Sequence, residues 1–418
     1  MRPIQSEIRP LSHEDFLPLV DLSADAYPAM KLNTEEEKKL AAARLQDQAS
    51  DPLITYYGVY RNQKLVGGMR LHNFSMQCYE TQMKIGGVGM VAVDLLHKKE
   101  KIARDMLIYY LDHYHAQGYP MAILYPFRPD FYRKMGFGYG TKVNRYELKP
   151  AVFPTGPKDH LRSLERSDGD ALQQCYQRVM NKTHGMIAKG KSDLNRLFNP
   201  PANRLVGMEL DGALRGYLVY KFSSKRPDNF IYNDLEVLEL VYENRQALQE
   251  LLSFLNSQAD QIHDIILTTQ DEDLHHLVAD PRNPSENLFH SVSHETNTQG
   301  VGIMYRVLNT RKWFEELSQH NFNQQTLRVN FNIMDTFLPQ NNGCTIVHFK
   351  NGWAKLADNG FDVEVRMDVS DFSSWVMGCV QFNSLFHYGR ADLSDECYLD
   401  TVNRLFFTSQ KPICYTEF

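Results

Sequence analysis

Apolar and polar positions follow two rhythms along the chain, one of helical period and one of strict alternation, and they mark out its elements. In TEEEKKLAAARLQDQ (34–48) acidic residues crowd the start of an apolar stripe of helical spacing, which predicts a helix. ITYYGVYRNQKLVGGMRLH (54–72) predicts a hairpin turning at Asn62-Gln63, and 84–94 a long strand. From Ile102 the residues Ala103, Met106, Leu107, Tyr110, Leu111 and Tyr114 keep helical spacing until Gly118 and Pro120 end the run, and 121–127 is the next strand. The middle of the chain repeats this order: a hairpin over 204–222 with an Asp211-Gly212 turn, a strand over 231–244, a helix over 245–258 and a strand over 265–269. Such a repeat predicts a duplicated domain, and the proline-containing segment 151–160 reads as the linker. The last third changes character. Segments 327–335, 344–356 and 361–369 alternate, Asn351-Gly352 and Asn359-Gly360 supply hairpin turns, and 372–382 reads as a buried helix. This predicts an α+β module, an antiparallel sheet covered by helices. The expected domains are 1–150, 151–300 and 301–418.

Composition narrows the function classes. With 418 residues, 43% hydrophobic and 23% charged, the chain has the make-up of a soluble globular protein, and no apolar run approaches a bilayer span. Its first residues, MRPIQSEIRPLSHEDF, lack the basic start and apolar middle of a secretory signal. The six cysteines are scattered without a CxxC pair, which fits reduced thiols and no zinc site, so a cytoplasmic location and no metal are expected. A net charge of −6 argues against nucleic-acid binding and mildly favours cationic partners. No membrane partner is expected.

The densest chemistry lies in FYRKMGFGYG (131–140), where three glycines and four aromatic rings fall together and suit neither a helix interior nor an ordinary strand. Upstream, Val91-Ala92-Val93, His97 and Arg104 stand in the spacing VAV-x3-H-x6-R, with Lys98, Lys99 and Lys101 between strand and helix. A helix start offers unpaired N–H groups and a positive dipole end to an anion, and the lysines add full charge. By itself KKEK is the solvated helix start that most such runs are.

These residues resemble the GNAT acetyltransferases, specifically the Eis-like branch with tandem GNAT (acyl-CoA N-acyltransferase) domains and a sterol carrier protein-like C-terminal domain. The three-part layout agrees over essentially the whole chain, giving a mixed α+β and α/β fold. The resemblance implies an N-acetyltransferase with acetyl-CoA as co-substrate, acting on primary amines of aminoglycosides or polyamines. It implies that Lys99, Glu100, Lys101, Ile102, Ala103 and Arg104 wrap the pyrophosphate, and that the main chain of Val91, Ala92 and Val93 pairs with the pantetheine arm. Phe127 and Arg128 match further cofactor-contacting positions. Tyr132 becomes the general acid for the departing sulfur, since a phenol with a reference pKa of about 10 stays protonated at neutral pH. The α-carboxylate of Phe418 becomes the general base, and the assembly a homo-oligomer, the branch's own being a hexamer. Gly136, Gly138 and Gly140 would let the chain turn sharply beneath the thioester.

The chain departs from the family pattern at Lys101, which replaces a loop glycine. Lys101 fits with helical angles and its side chain outward; otherwise cofactor binding is weakened or lost. Two other functions remain open: acetylation of protein or peptide lysines, and a non-catalytic module with a relic GNAT half that binds a hydrophobic ligand. His290 and His294 have the spacing of metal ligands but lack the glutamate of HExxH, and a surface loop or helix is expected there. His113 and His115 read as solvent-facing or polar packing residues, and His97 as a phosphate contact or a loop cap. Lys189-Gly190-Lys191 lacks the P-loop pattern, and the middle domain has no basic turn between Tyr242 and Arg245, so it reads as a GNAT copy without cofactor.

Overall fold

The computed structural model describes residues 6–190, 193, 197–199, 201–226 and 228–418. They form two compact units, one of residues 1–140, 303–409 and 417–418, the other of 141–302 and 410–416. The units therefore divide the chain differently from its thirds: the first domain and the last share one unit. Among the described residues no helix is long and apolar enough to cross a membrane.

In the first unit, β1 (Glu7–Pro10), β2 (Ile54–Arg61), β3 (Lys64–Cys78), β4 (Thr81–Val93) and β5 (Met121–Leu124) lie in chain order in one sheet. The β2–β3 turn falls at Asn62 and Gln63, both left-handed (φ 48° and 63°), as the twist of a tight hairpin demands. The β3 strand runs on to Cys78 and turns back through Tyr79 (φ 53°), a hairpin the sequence pattern had not revealed. Helix α1 (Phe16–Ala26) is followed by α2 (Glu35–Gln48), whose Thr34 and Glu37 form a capping box. Helix α3 (Ile102–Ala116) buries Met106, Leu107, Tyr110, Leu111 and Tyr114 against Tyr57, Met69 and Leu71 of the sheet. The Tyr110 hydroxyl donates to the Gly86 carbonyl (2.8 Å) and accepts from the Ile123 N–H (3.0 Å), stitching β4 to β5. After α4 (Pro129–Arg133) comes the short β6 (Gly138–Tyr139).

The sheet is completed from far along the chain. Strand β14 (Met304–Val307) inserts between β5 and β6, antiparallel to both. The second unit shows the reciprocal arrangement. Its sheet holds β8 (Leu161–Ser163), β9 (Arg204–Leu210), β10 (Ala213–Ser224), β11 (Asn233–Tyr242) and β12 (Ile262–Thr269), and beside β12 lies β7 (Val143–Leu148), edged by β13 (Asn297–Gly300). Each sheet is thus finished by a strand that follows the other domain in sequence. Helices α5 (Gly169–Met180) and α6 (Arg245–Asn256) pack on the second sheet, and Asp211 and Gly212 make the expected left-handed turn.

The third sheet, in the first unit, has the order β17-β16-β15-β18-β19, from β15 (Leu327–Met334), β16 (Gly343–Lys350), β17 (Trp353–Ala357), β18 (Val363–Asp368) and β19 (Ala391–Leu393). Asn351-Gly352 makes the expected hairpin turn between β16 and β17. Asn359-Gly360 does not: β18 pairs with β15 in parallel, so the chain crosses over there and the sheet is not wholly antiparallel. After α7 (Thr310–Glu316) earlier in the chain, the buried helix α8 begins at Val369 and stops at Val376, because Gly378 turns left-handed (φ 66°) ahead of α9 (Phe382–His387). Trp375 packs against Phe331, Phe382 and Phe406.

Candidate active site

The site starts where two parallel strands part. β4 pairs with β5 only as far as Val88 and Leu124, and the left-handed Met90 (φ 51°) bulges β4 against β3 between Gly68 and Arg70. Val91 lies in the bulge, and beyond it Ala92 and Val93 remain paired to β3 alone, so their other edge faces the fork. The Tyr27 hydroxyl donates to the Val91 carbonyl (2.6 Å), which therefore already has a partner. Phe127, largely exposed, meets the Tyr27 ring edge-on, and Arg128 is held by Asp130 at the start of α4.

The loop from β4 to α3 corrects the expectation for Lys101. Lys101 is left-handed (φ 65°, ψ 12°), and so is Lys99 (φ 68°). Both lysines take the backbone form for which glycine is the usual residue, at about 1–2 kcal/mol each. Lys101 supplies no side-chain cap, so the first turn of α3 keeps its N–H groups for another acceptor. The Lys98, Lys99 and Lys101 side chains are exposed, whereas Glu100 accepts from Arg61 and faces His97 (3.1 Å). His97 thus holds the loop. Ile102 is buried in the core and offers only its backbone; Ala103 and Arg104 are half-buried, with the Arg104 guanidinium 5.9 Å from the Phe337 ring. A helix start without a cap, flanked by free cations and preceded by alternating left-handed residues, fits a pyrophosphate.

Tyr132 lies in α4, so the aromatic end of the decapeptide is helical after all. Its side chain is buried beside Phe131 and Phe137, and burial, with the neighbouring Tyr27 phenol second, pushes its pKa up to about 12. Two ties fix this short helix to the third sheet's segment. Arg133 pairs with Asp371 of α8, which also receives Arg390. Arg306, wholly buried in β14, donates to the Met135 carbonyl (3.0 Å) and to Asp335 (2.8 Å). Of the three glycines only Gly136 is left-handed (φ 87°). Gly138 is there for closeness instead: a Cβ would come within 2.1 Å of the Ser370 carbonyl oxygen.

Phe418 returns to the first unit and lies at the fork. Its ring packs against Phe74 (4.8 Å), Tyr125 (5.2 Å) and His72 (5.5 Å). Its main-chain carbonyl carbon stands 2.8 Å from the point a Cβ on Gly89 would occupy, and the Arg70 guanidinium approaches the same point to 3.5 Å. Gly89, directly after the last residue of β4 paired to β5, thus gives the space in which the Phe418 main chain sits.

Sequence reasoning missed Tyr27, Gly89, Arg70, Arg306 and Asp335. Only Arg306 left a signal, an arginine inside the apolar run GIMYRVL, where an unpaired charge is too costly to bury. The remaining histidines are as bland as expected: His290 and His294 are exposed in a loop, and His113 stacks on Tyr109. Lys189 is buried against Glu239, and Lys191 lies outside the described residues.

Residues 7–140 match the acetyltransferase (GNAT) domain, residues 191–307 match a second acetyltransferase (GNAT) domain, and residues 304–415 match the sterol carrier protein domain. The chain belongs to the GNAT acetyltransferases. An uncharacterized N-acetyltransferase of Streptomyces avermitilis is 25% identical over 334 residues, 73% of this chain and 74% of that protein. A second, of Streptomyces coelicolor, is 30% identical over 115 residues, 26% of this chain and only 28% of that relative's length. The crystal structure of Eis1 from Mycobacterium abscessus has the same fold throughout, with a TM-score of 0.76 at 17% identity, covering 99% of this chain and 100% of that one. The protein is an acyltransferase of tandem GNAT architecture with a sterol carrier protein-like domain. GNAT domains imply acetyl-CoA as co-substrate, and the uncapped start of α3 is the place in the first domain suited to its diphosphate.

Proposed function

We propose that the chain transfers an acetyl group from acetyl-CoA to a primary amine of an aminoglycoside-like or polyamine substrate, directly and at the first domain. The observation that carries this reading is the fork beyond Val88, where the Phe418 main chain meets Gly89 of β4 and the buried Tyr132 neighbours Tyr27, whose hydroxyl donates to Val91 of the same strand. Acetyl-CoA bound there would supply an activated thioester. Lys99, Lys101 and the first-turn N–H groups of Ile102, Ala103 and Arg104 would hold its diphosphate, Glu100 keeping the loop in shape through Arg61. The open edge of Ala92 and Val93 would align the pantetheine arm, the Val91 carbonyl being held by Tyr27, with Phe127 and Arg128 at its flank.

The chain's own groups handle the protons. Tyr132, kept neutral by burial, carries the proton that a departing thiolate needs, and its anchors on Arg133 and Arg306 hold it in place. A carboxylate on Phe418 takes the proton of the incoming ammonium, directly or through one water. Its ring, wedged between Phe74 and Tyr125, restricts it to the fork, and Glu417 adds negative charge for a cationic acceptor. Fixing both groups converts encounter into reaction without further ordering. The N-acetyltransferase names of the Streptomyces relatives and the net negative charge support an amine acceptor. The test is thiol release from acetyl-CoA across a panel of aminoglycosides, polyamines and lysine peptides. Release with the small amines and none with peptides is expected; no release with any amine, together with no calorimetric binding of coenzyme A, would overturn the proposal.

A further inference from the structure

The second domain has a fork of its own, used differently. β11 and β12 pair in parallel as far as Val237 and Leu267 and then part. At that point lies a cavity of about 270 Å³, lined by Leu240, Leu248, Leu267 and Ile413 and by the polar Asp271, Tyr242 and Tyr415. Two of these walls, Ile413 and Tyr415, belong to the returning tail of the chain.

The cavity is not a second coenzyme site. Strand and helix are joined only by Glu243 and Asn244, and Asn244 accepts the Ala247 N–H (2.9 Å) of the first helical turn. An acid and a self-made cap stand where the first domain has lysines and an open turn. The volume falls just below the roughly 300 Å³ at which drug-sized pockets begin, so a small ligand fits and a nucleotide does not.

Its chemistry points to a cation. One Asp271 oxygen accepts the Asp273 N–H (2.9 Å), and its other oxygen has no hydrogen-bond partner among the described residues. Asp273 lines the same cavity, adding negative charge, while the nearest lysine of the tail, Lys411, is engaged by Glu272. The Tyr242 and Tyr415 phenols are pushed up mainly by burial, with the Asp271 charge among the further causes, so all three groups share one neighbourhood. A carboxylate beside two electron-rich rings, in an aliphatic chamber, is complementary to an ammonium on an apolar body.

We propose that this cavity is a binding site for a small organic cation of the arylalkylamine kind, its ammonium at Asp271 and its apolar body among the leucines. The cavity belongs to the second unit, and its test uses the full chain carrying Tyr132→Phe, in which turnover has no bearing. Phenethylamine is titrated by calorimetry beside its uncharged analogue 2-phenylethanol, with and without Asp271→Asn. Binding of phenethylamine that is about tenfold or more tighter than that of the alcohol, and weakened by a similar factor in Asp271→Asn, is expected. Equal affinity for amine and alcohol, no binding of either, or an amine affinity indifferent to Asp271→Asn would each overturn the site. Should Asp271→Asn fail to fold, Leu248→Phe, which narrows the chamber, takes its place, and an amine affinity that it leaves unchanged would overturn the site.

Discussion

The two GNAT domains build the same joint in opposite ways. In the first, the eight residues between strand and helix, Asp94 to Lys101, include two left-handed lysines, and the helix is left without a cap. In the second, Asn244 satisfies the helix start, and Glu243 is committed to Arg178 and Arg215. One joint stores backbone strain and open N–H groups; the other stores none. The comparison teaches that receptivity to an anion depends on what the protein leaves undone at a helix start. A single capping side chain closes the opportunity. Strain of this kind persists only where the surrounding packing imposes it, and Glu100, held by Arg61 and His97, is the brace that does so.

The comparison can be broken most sharply at Tyr132 of the first domain. Tyr132→Phe should lower kcat roughly a hundredfold or more while leaving coenzyme A affinity near that of the parent. A pKa pushed up to about 12 keeps the phenol protonated below that pH, so kcat/KM should show no descending limb from Tyr132 near pH 10. A limb there that vanishes in Tyr132→Phe would contradict the burial argument. Next in size is Arg306→Met, which leaves Asp335 buried without its cation. It should cost about 3–5 kcal/mol in denaturant unfolding, with Arg306→Lys recovering part of the loss. A cost below about 1 kcal/mol would show that the anchor is not structural. Asn244→Ala should destabilise by about 1 kcal/mol and leave coenzyme A binding unchanged. A change in coenzyme affinity would mean that the second joint is not inert. Smallest is Lys101→Gly, which should stabilise by up to about 1 kcal/mol in thermal melts, because glycine takes φ 65° freely, while weakening coenzyme A binding through the lost charge.

Local chemistry was what the sequence could tell. Period and turn residues located the hairpins at Asn62-Gln63 and Asp211-Gly212, the α3 helix from Ile102, and the reach of 131–140, because each is decided by neighbours within a few positions. The Tyr79 turn escaped because neither Tyr79 nor Glu80 is a turn former; its left-handed form is imposed by pairing between β3 and β4. Asn359-Gly360 misled in the other direction, since a good turn dipeptide says only that the chain bends, not which strand it meets next. The Lys101 angles and the Gly89 space were also out of reach, for both depend on residues distant in sequence. The strand exchange was furthest from view, as alternation fixes a strand's faces and not its sheet.

That exchange has a consequence for how the molecule comes into being on the ribosome. The bond from Arg306 to the Met135 carbonyl spans 171 positions, so the nascent first domain emerges with β5 exposed along one side and must wait for the whole second domain to be made before its sheet closes. Such a delay leaves a naked strand margin during synthesis, and translation speed across residues 141–302 becomes a control on whether the nascent chain closes on itself or on a neighbouring copy.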